Sequence, residues 1–78
     1  MTIEILGPGC PTCDDLERLV RDVAAQEHRD IHIFTITDPA QIAAYGARST
    51  PGLAVNGLMK VEGRVPSVDE VRALLAVA

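Results

Sequence analysis

The stretch that decides the fold is Gly7-Pro8-Gly9-Cys10-Pro11-Thr12-Cys13, which follows the short apolar segment Thr2–Leu6. Glycine and proline end a strand at this point, and Pro11 suits the first position of a helix, where its missing N–H is not needed. Cys10 then takes the N-cap position, and Cys13 lies one turn inside the helix. The stretch therefore predicts a strand that passes into a helix, with the chain's two cysteines at the junction.

Two thiols separated by two residues at the start of a helix can open and close a disulfide with little movement of the backbone. Unpaired N–H groups and the helix dipole favour a thiolate at Cys10, whereas we expect Cys13 to be more buried and harder to ionise. In thiol–disulfide exchange, Cys10 then attacks and Cys13 resolves the mixed disulfide. A structural disulfide is the alternative, although so small a loop removes little entropy from the unfolded chain.

The composition limits the kinds of partner. The chain has 78 residues, of which 47% are hydrophobic, and a net charge of −4. This length suits one domain with a small core, and the negative charge argues against nucleic acid or an anionic membrane as a partner. No apolar run approaches the length of a membrane span, and Met1 leads into strand residues instead of a secretory leader. We therefore expect a single cytoplasmic domain over residues 1–78. In a reducing compartment such as the cytoplasm, paired cysteines are more often catalytic or metal-binding than structural.

The apolar pattern changes period several times along the chain and predicts seven elements. Apolar residues at helical spacing predict a helix from Pro11 to about Glu27, and a second strand follows over residues 31–36. The remaining signals are Asp38-Pro39 before a short helix, Asn56-Gly57 within a hairpin, and the capping box Ser67-Val68-Asp69-Glu70. The last helix is expected to face inward through Val68, Val71, Leu74 and Leu75. The order is strand, helix, strand, helix, strand, strand, helix, in the α/β class.

This order, with C-x-x-C after the first strand and Thr50-Pro51 before the third, resembles the thioredoxin-fold oxidoreductases in their minimal, glutaredoxin-sized form. The chain is most similar to the small thioredoxin-like redox-disulfide proteins of bacteria and archaea, whose G-x-G-C-x-x-C and P-G-L-x-V-x-G segments match residues 7–13 and 51–57. The resemblance implies a minimal thioredoxin fold, βαβαββα, with a four-stranded mixed sheet and three helices. It also implies that Cys10 is the nucleophile, Cys13 the resolving thiol and Pro51 a cis-proline, and that the backbone of Thr50 pairs with an extended substrate.

Several positions depart from the pattern of the resembled families. Gly9 stands where thioredoxins have a tryptophan before the first cysteine, which reduces the usual docking surface. Gly63-Arg64-Val65-Pro66 stands where glutaredoxins have a glycine pair followed by acids, so the resemblance does not imply specificity for glutathione.

Glu4 lies six residues before Cys10, at the position of a buried aspartate in thioredoxins. A buried carboxylate there could accept the proton of Cys13 while the mixed disulfide resolves. Because Glu4 alternates with Ile3 and Ile5, a plain solvent-facing strand residue is the alternative.

These patterns predict a thiol–disulfide oxidoreductase of the reductase type, which acts on protein or small-molecule disulfides without a bound cofactor. The acids Asp14, Asp15 and Glu17 oppose a thiolate at Cys10, and this favours a reductant. We expect a monomer whose partners are a disulfide-containing substrate and a reductase. The alternative is a soft-metal-binding or metal-transfer domain that uses both thiolates, although such modules end on a strand and this sequence ends with a predicted helix. A third hypothesis is an interaction scaffold with an idle disulfide.

Overall fold

A computed structural model of the chain describes residues 1–9 and 11–76. The strands are β1 (Thr2–Leu6), β2 (His32–Ile36), β3 (Gly52–Val55) and β4 (Leu58–Glu62), and the helices are α1 (Pro11–Gln26), α2 (Pro39–Ala44) and α3 (Val68–Ala76). The predicted α/β class, with the order βαβαββα and a four-stranded mixed sheet, is confirmed. Within the described residues, no helix is long and apolar enough to cross a membrane.

The sheet has the strand order β2-β1-β3-β4. β1 runs parallel to β2 and antiparallel to β3, with Leu6 opposite Gly52. α1 carries the chain back between the two parallel strands, as the connection between parallel neighbours requires. The start of α1 and the start of β3 therefore lie at the same end of the sheet, where β1 ends.

One face of the sheet packs against α1 and α3. The buried core on this face includes Ile3, Ile5, Leu53 and Val55 of the strands and Leu16, Val20, Val71 and Leu75 of the helices. Burial of each large apolar side chain contributes about 1.5–3 kcal/mol. Since side chains alternate along a strand, Glu4 and Leu6 face the opposite side of the sheet, and Ile42 of α2 is buried outside the main core.

The predicted turn and caps are present. Asn56 and Gly57 have φ values of 51° and 84°, as the two-residue turn of a tight hairpin requires. Ser67 Oγ accepts the N–H of Glu70, and the Glu70 carboxylate accepts the N–H of Ser67, each at 3.1 Å. The capping box at the start of α3 is therefore confirmed.

Two details differ from what the sequence predicts. β4 carries a bulge, since Leu53 pairs with Val61 while the next residue, Ala54, pairs with Met59. Val68, expected to face inward, is 43% exposed, whereas Val71 is buried one turn later. The first turn of α3 therefore lies beyond the packed part of the core.

Candidate active site

Cys13 lies in the first turn of α1, close to the end of β1. Its side chain is buried, with 4% exposure, and its sulfur is disulfide-bonded. Cys10, the predicted nucleophile, lies outside the residues that the structure describes. The predicted role of Cys10 and its pairing with Cys13 therefore stay predictions.

The backbone of Gly7 is packed against the sulfur of Cys13. A methyl group on Gly7 would overlap Sγ of Cys13 and would lie 3.9 Å from Cβ of Thr50. The requirement for glycine is steric at this position, unlike that at Gly9, whose φ of 85° favours glycine for conformational reasons. Gly7 thus marks the point where Cys13 and Thr50 approach each other.

The segment Thr50-Pro51 is joined by a cis peptide bond. Pro51 is buried and Thr50 is exposed. The two residues come directly before β3, whose first residue Gly52 pairs with Leu6 of β1. The sheet register therefore places Thr50-Pro51 beside Gly7 and the first turn of α1, so that two predicted site segments far apart in sequence meet.

Two hydrogen bonds, one between backbone groups and one from a backbone N–H to a side chain, tie this segment to the end of β4. The N–H of Gly63 donates to the carbonyl oxygen of Pro51 at 2.9 Å, and the N–H of Arg48 donates to the Glu62 carboxylate at 2.8 Å. The loop is thus held on both sides of Thr50. Sequence reasoning missed these contacts, because no local pattern signals a bond between residues so far apart.

An ion pair braces the segment that follows β4. Arg64 binds both carboxylate oxygens of Glu70, at 2.8 and 2.6 Å. These hydrogen bonds, together with the N–H of Ser67, lower the pKa of Glu70 to about 2, and the same pair raises the pKa of Arg64. Because both side chains are substantially exposed, the pair positions the segment more than it stabilises the fold.

Glu4 is 6% exposed, a burial that the proton-transfer hypothesis requires. Its carboxylate oxygens accept the N–H of Gly57, at 3.1 and 3.4 Å. Gly57 belongs to the turn between β3 and β4, and the N–H of Asn56 in that turn donates to the Thr2 carbonyl oxygen. This turn lies at the start of β1, whereas Cys13 lies near its end. The structure gives Glu4 a partner in the hairpin, and its role in proton transfer stays an untested prediction.

The comparisons with known proteins agree with this geometry. Residues 1–76 match the family described as thioredoxin domain. The chain belongs to the thioredoxin-domain family. It is 37% identical over 76 residues to a thioredoxin of Methanothermobacter thermautotrophicus, covering 97% of this chain and 99% of that protein. It is 33% identical over 72 residues to a thioredoxin of Methanocaldococcus jannaschii, covering 92% of this chain and 83% of that protein.

Membership of the thioredoxin-domain family confirms the predicted resemblance and the thiol–disulfide oxidoreductase activity.

A shallow cavity of about 320 Å³, lined by Ala44, Tyr45 and Gly57, lies at the hairpin end of the sheet, remote from Cys13. Among residues 1–9 and 11–76, no three His, Cys, Asp or Glu side chains gather into a possible metal site.

Proposed function

We propose that the chain is a disulfide reductase in which Cys10 attacks and Cys13 resolves. The Cys10 thiolate attacks one sulfur of a substrate disulfide, which forms a mixed disulfide and expels the other sulfur as a thiolate. Cys13 then loses its proton and attacks the Cys10 sulfur. The second substrate thiol leaves, and the two electrons lost by the protein thiols have passed to the substrate.

The observation that carries this proposal is the burial of Cys13, whose sulfur lies against the backbone of Gly7. A resolving thiol has to be shielded from external disulfides while it stays within reach of the mixed disulfide beside it. Cys13 is 4% exposed, so an external disulfide has little direct access to its sulfur. The burial of Cys13 supports a division of labour in which Cys10 attacks and Cys13 resolves.

We further propose that Thr50 and Pro51 bind the substrate. Thr50 is exposed and lies close to Gly7, which contacts the Cys13 sulfur, while Pro51 is buried and its carbonyl oxygen accepts the N–H of Gly63. An extended substrate segment that pairs with the backbone of Thr50 would bring its disulfide to the end of α1, a short case of strand addition. The fixed loop reduces the entropy lost on binding.

The reaction needs a disulfide-containing protein or small molecule as substrate and a separate reductase that returns the cysteines to the dithiol form. We propose that residues 1–78 act as one domain in the cytoplasm, since a reductant works in a compartment that keeps thiols reduced. The cysteines themselves carry the electrons, and the proposal assigns no cofactor.

The proposal is tested with Cys10→Ser, Cys13→Ser and the double variant, each mixed with an unfolded protein that contains disulfides. Cys10→Ser should lose turnover to the level of the double variant. Cys13→Ser should still attack and should accumulate a mixed disulfide, visible by mass spectrometry and released by dithiothreitol. Equal, partial loss of turnover in both single variants, with no trapped adduct, would contradict the division of labour.

A further inference from the structure

β2 is an edge strand of the sheet, and no strand within residues 1–9 and 11–76 pairs with its outer side. β2 (His32–Ile36) is the first strand in the sheet order, and β1 is its only neighbour within the described residues. The strand contains no lysine, proline or other residue of the kind that protects an exposed edge. Phe34, at its centre, is 54% exposed. An edge with these properties is open to pairing with another strand.

The hydrogen bonds to β1 establish which groups of β2 point outward. The N–H of His32 donates to the Met1 carbonyl, and the Ile36 carbonyl accepts the N–H of Gly7. Because residues alternate in a ladder, His32, Phe34 and Ile36 bond to β1. The N–H and C=O groups of the two residues between them, Ile33 and Thr35, therefore face the open edge.

We propose that a second copy of this chain pairs with β2 in the antiparallel direction, around a two-fold axis at Phe34. In this register Ile33 lies opposite the partner subunit's Thr35, and Thr35 lies opposite the partner subunit's Ile33. Each pair exchanges both of its outward N–H···O bonds, as the narrow pairs of an antiparallel ladder do. All five residues of the strand overlap, which no other antiparallel register of this edge achieves.

The same register brings the two copies of Phe34 together. They form a pair without hydrogen bonds to each other, the type of pair in which opposite side chains are closest. Aromatic residues directly opposite each other in an antiparallel pair attract. The exposed ring of Phe34 is thus covered by its own copy.

Charges on α1 fit this arrangement. Glu17 lies over the edge strand, because its carboxylate accepts the hydroxyl of Thr35 at 3.4 Å, and it also binds Arg21 at 3.1 Å. α1 runs antiparallel to β2, so Arg21 lies toward Ile33. The four helical residues from Glu17 to Arg21 span about 6 Å, close to the roughly 6.6 Å that the two strand residues from Thr35 to Ile33 span. Arg21 therefore lies at the height of Ile33, as Glu17 lies at the height of Thr35.

Because of the two-fold axis, Ile33 of one copy and the partner subunit's Thr35 lie at the same height along the paired strands. It therefore sets Glu17 level with the partner subunit's Arg21, and Arg21 level with the partner subunit's Glu17. This reciprocal charge complementarity identifies a second copy as the occupant, because an unrelated strand would carry no matching helix beside it.

Beyond the strand ends, Asp30 of one copy lies opposite Asp38 of the other. The repulsion between these like charges limits the pairing to β2 and makes the dimer weak. The expectation of a monomer is thereby replaced by a concentration-dependent dimer. The inference does not depend on the proposed redox function, since Thr50-Pro51 and the open edge lie on opposite sides of β1.

Sedimentation equilibrium from about 10 µM to about 1 mM should show the mass rising from that of the 8.3 kDa chain toward twice that value, over the range in which weak complexes form. Phe34→Lys should abolish the rise, because it sets like charges opposite each other. Thr35→Pro should also abolish it, because proline removes an outward N–H that an edge strand can spare. Thr35→Val, which keeps that N–H, and Leu58→Asp, which removes an exposed apolar residue elsewhere, should dimerise like the original chain.

The charges and the register are tested separately. Glu17→Arg and Arg21→Glu should each weaken the dimer, and the double variant should restore it. In a chain with Cys10→Ser and Cys13→Ser, Phe34→Cys should form an intermolecular disulfide under mild oxidation, because the paired Cα atoms would be about 4.5 Å apart. Leu58→Cys in the same background should remain uncrosslinked.

A chain that stays monomeric at about 1 mM would overturn the proposal, as would a dimer that survives both Phe34→Lys and Thr35→Pro. A monomer whose Ile33 and Thr35 amides become protected from hydrogen exchange only when an extended peptide is added would show that the edge binds a foreign strand instead. Disulfide reductase activity should persist in Phe34→Lys, so failure of the dimer and failure of the redox proposal are distinguishable.

Discussion

The backbone of Gly7 lies directly against the sulfur of Cys13, so that no other amino acid fits at position 7 without displacing that sulfur. Gly7 directly follows β1, and Cys13 begins the buried face of α1. The contact therefore joins the end of the strand to the helix at the proposed reaction site.

Gly7→Ala should displace the Cys13 sulfur or the strand end. Overpacking of this kind costs about 1–3 kcal/mol of unfolding free energy, and a misplaced reacting group lowers the rate by about tenfold to a hundredfold. Denaturant unfolding and disulfide reduction kinetics measure the two effects. Gly46→Asn is the control, since Gly46 has a φ of 84° and open space around it. A Gly7→Ala variant with unchanged rate and stability would show that the contact does not constrain Cys13.

Glu4 is expected to anchor the hairpin, because its carboxylate holds the N–H of Gly57. Glu4→Ala should lower the unfolding free energy by about 1–3 kcal/mol, while Glu4→Gln, which keeps an acceptor oxygen, should lose less. Both variants should reduce disulfides within about threefold of the original rate, because the carboxylate holds the hairpin turn. Loss of a general acid or base would instead lower the rate about a hundredfold or more. A stable Glu4→Gln variant with a much lower rate and an altered pH profile would instead support proton transfer to Glu4.

The Arg64–Glu70 pair should give a distinctive acid dependence of stability. The pKa of Glu70 in the folded chain is about 2, lowered by its hydrogen bonds to Arg64. A depressed carboxyl pKa contributes stability that is present above the unfolded-state pKa and is lost as the pH falls toward about 2. The stability difference between the original chain and Glu70→Gln should therefore shrink between about pH 5 and pH 2. Arg64→Met should remove most of the same dependence, and a difference that stays constant over this range would exclude the linkage.

Local patterns in the sequence were sufficient for most of the fold. The strand Thr2–Leu6 was predicted with the bounds that the structure shows. The turn at Asn56-Gly57 and the capping box between Ser67 and Glu70 were also predicted, because turns and caps depend on the residues that form them.

Features that depend on distant neighbours could not be predicted. The partner of Glu4 is Gly57, and the bond between Gly63 and Pro51 joins two loops. Alternation in β1 shows only that Glu4 faces away from Ile3 and Ile5, and it does not show which turn the carboxylate reaches. The exposure of Phe34 likewise depends on the sheet order, since the strand is apolar enough for a central position.

Whether the chain reduces disulfides is tested most directly by the reduction potential of the Cys10–Cys13 couple, measured by equilibration with glutathione or dithiothreitol buffers. Acidic residues follow the motif, with Asp14 in the first turn of α1, and negative charge there destabilises a thiolate and hence the reduced form. The disulfide should be correspondingly hard to reduce. We predict a potential below about −200 mV, on the reductase side of the known range. A strongly oxidising potential, near the roughly −120 mV of the most oxidising members, would contradict this and would indicate a protein that makes disulfides.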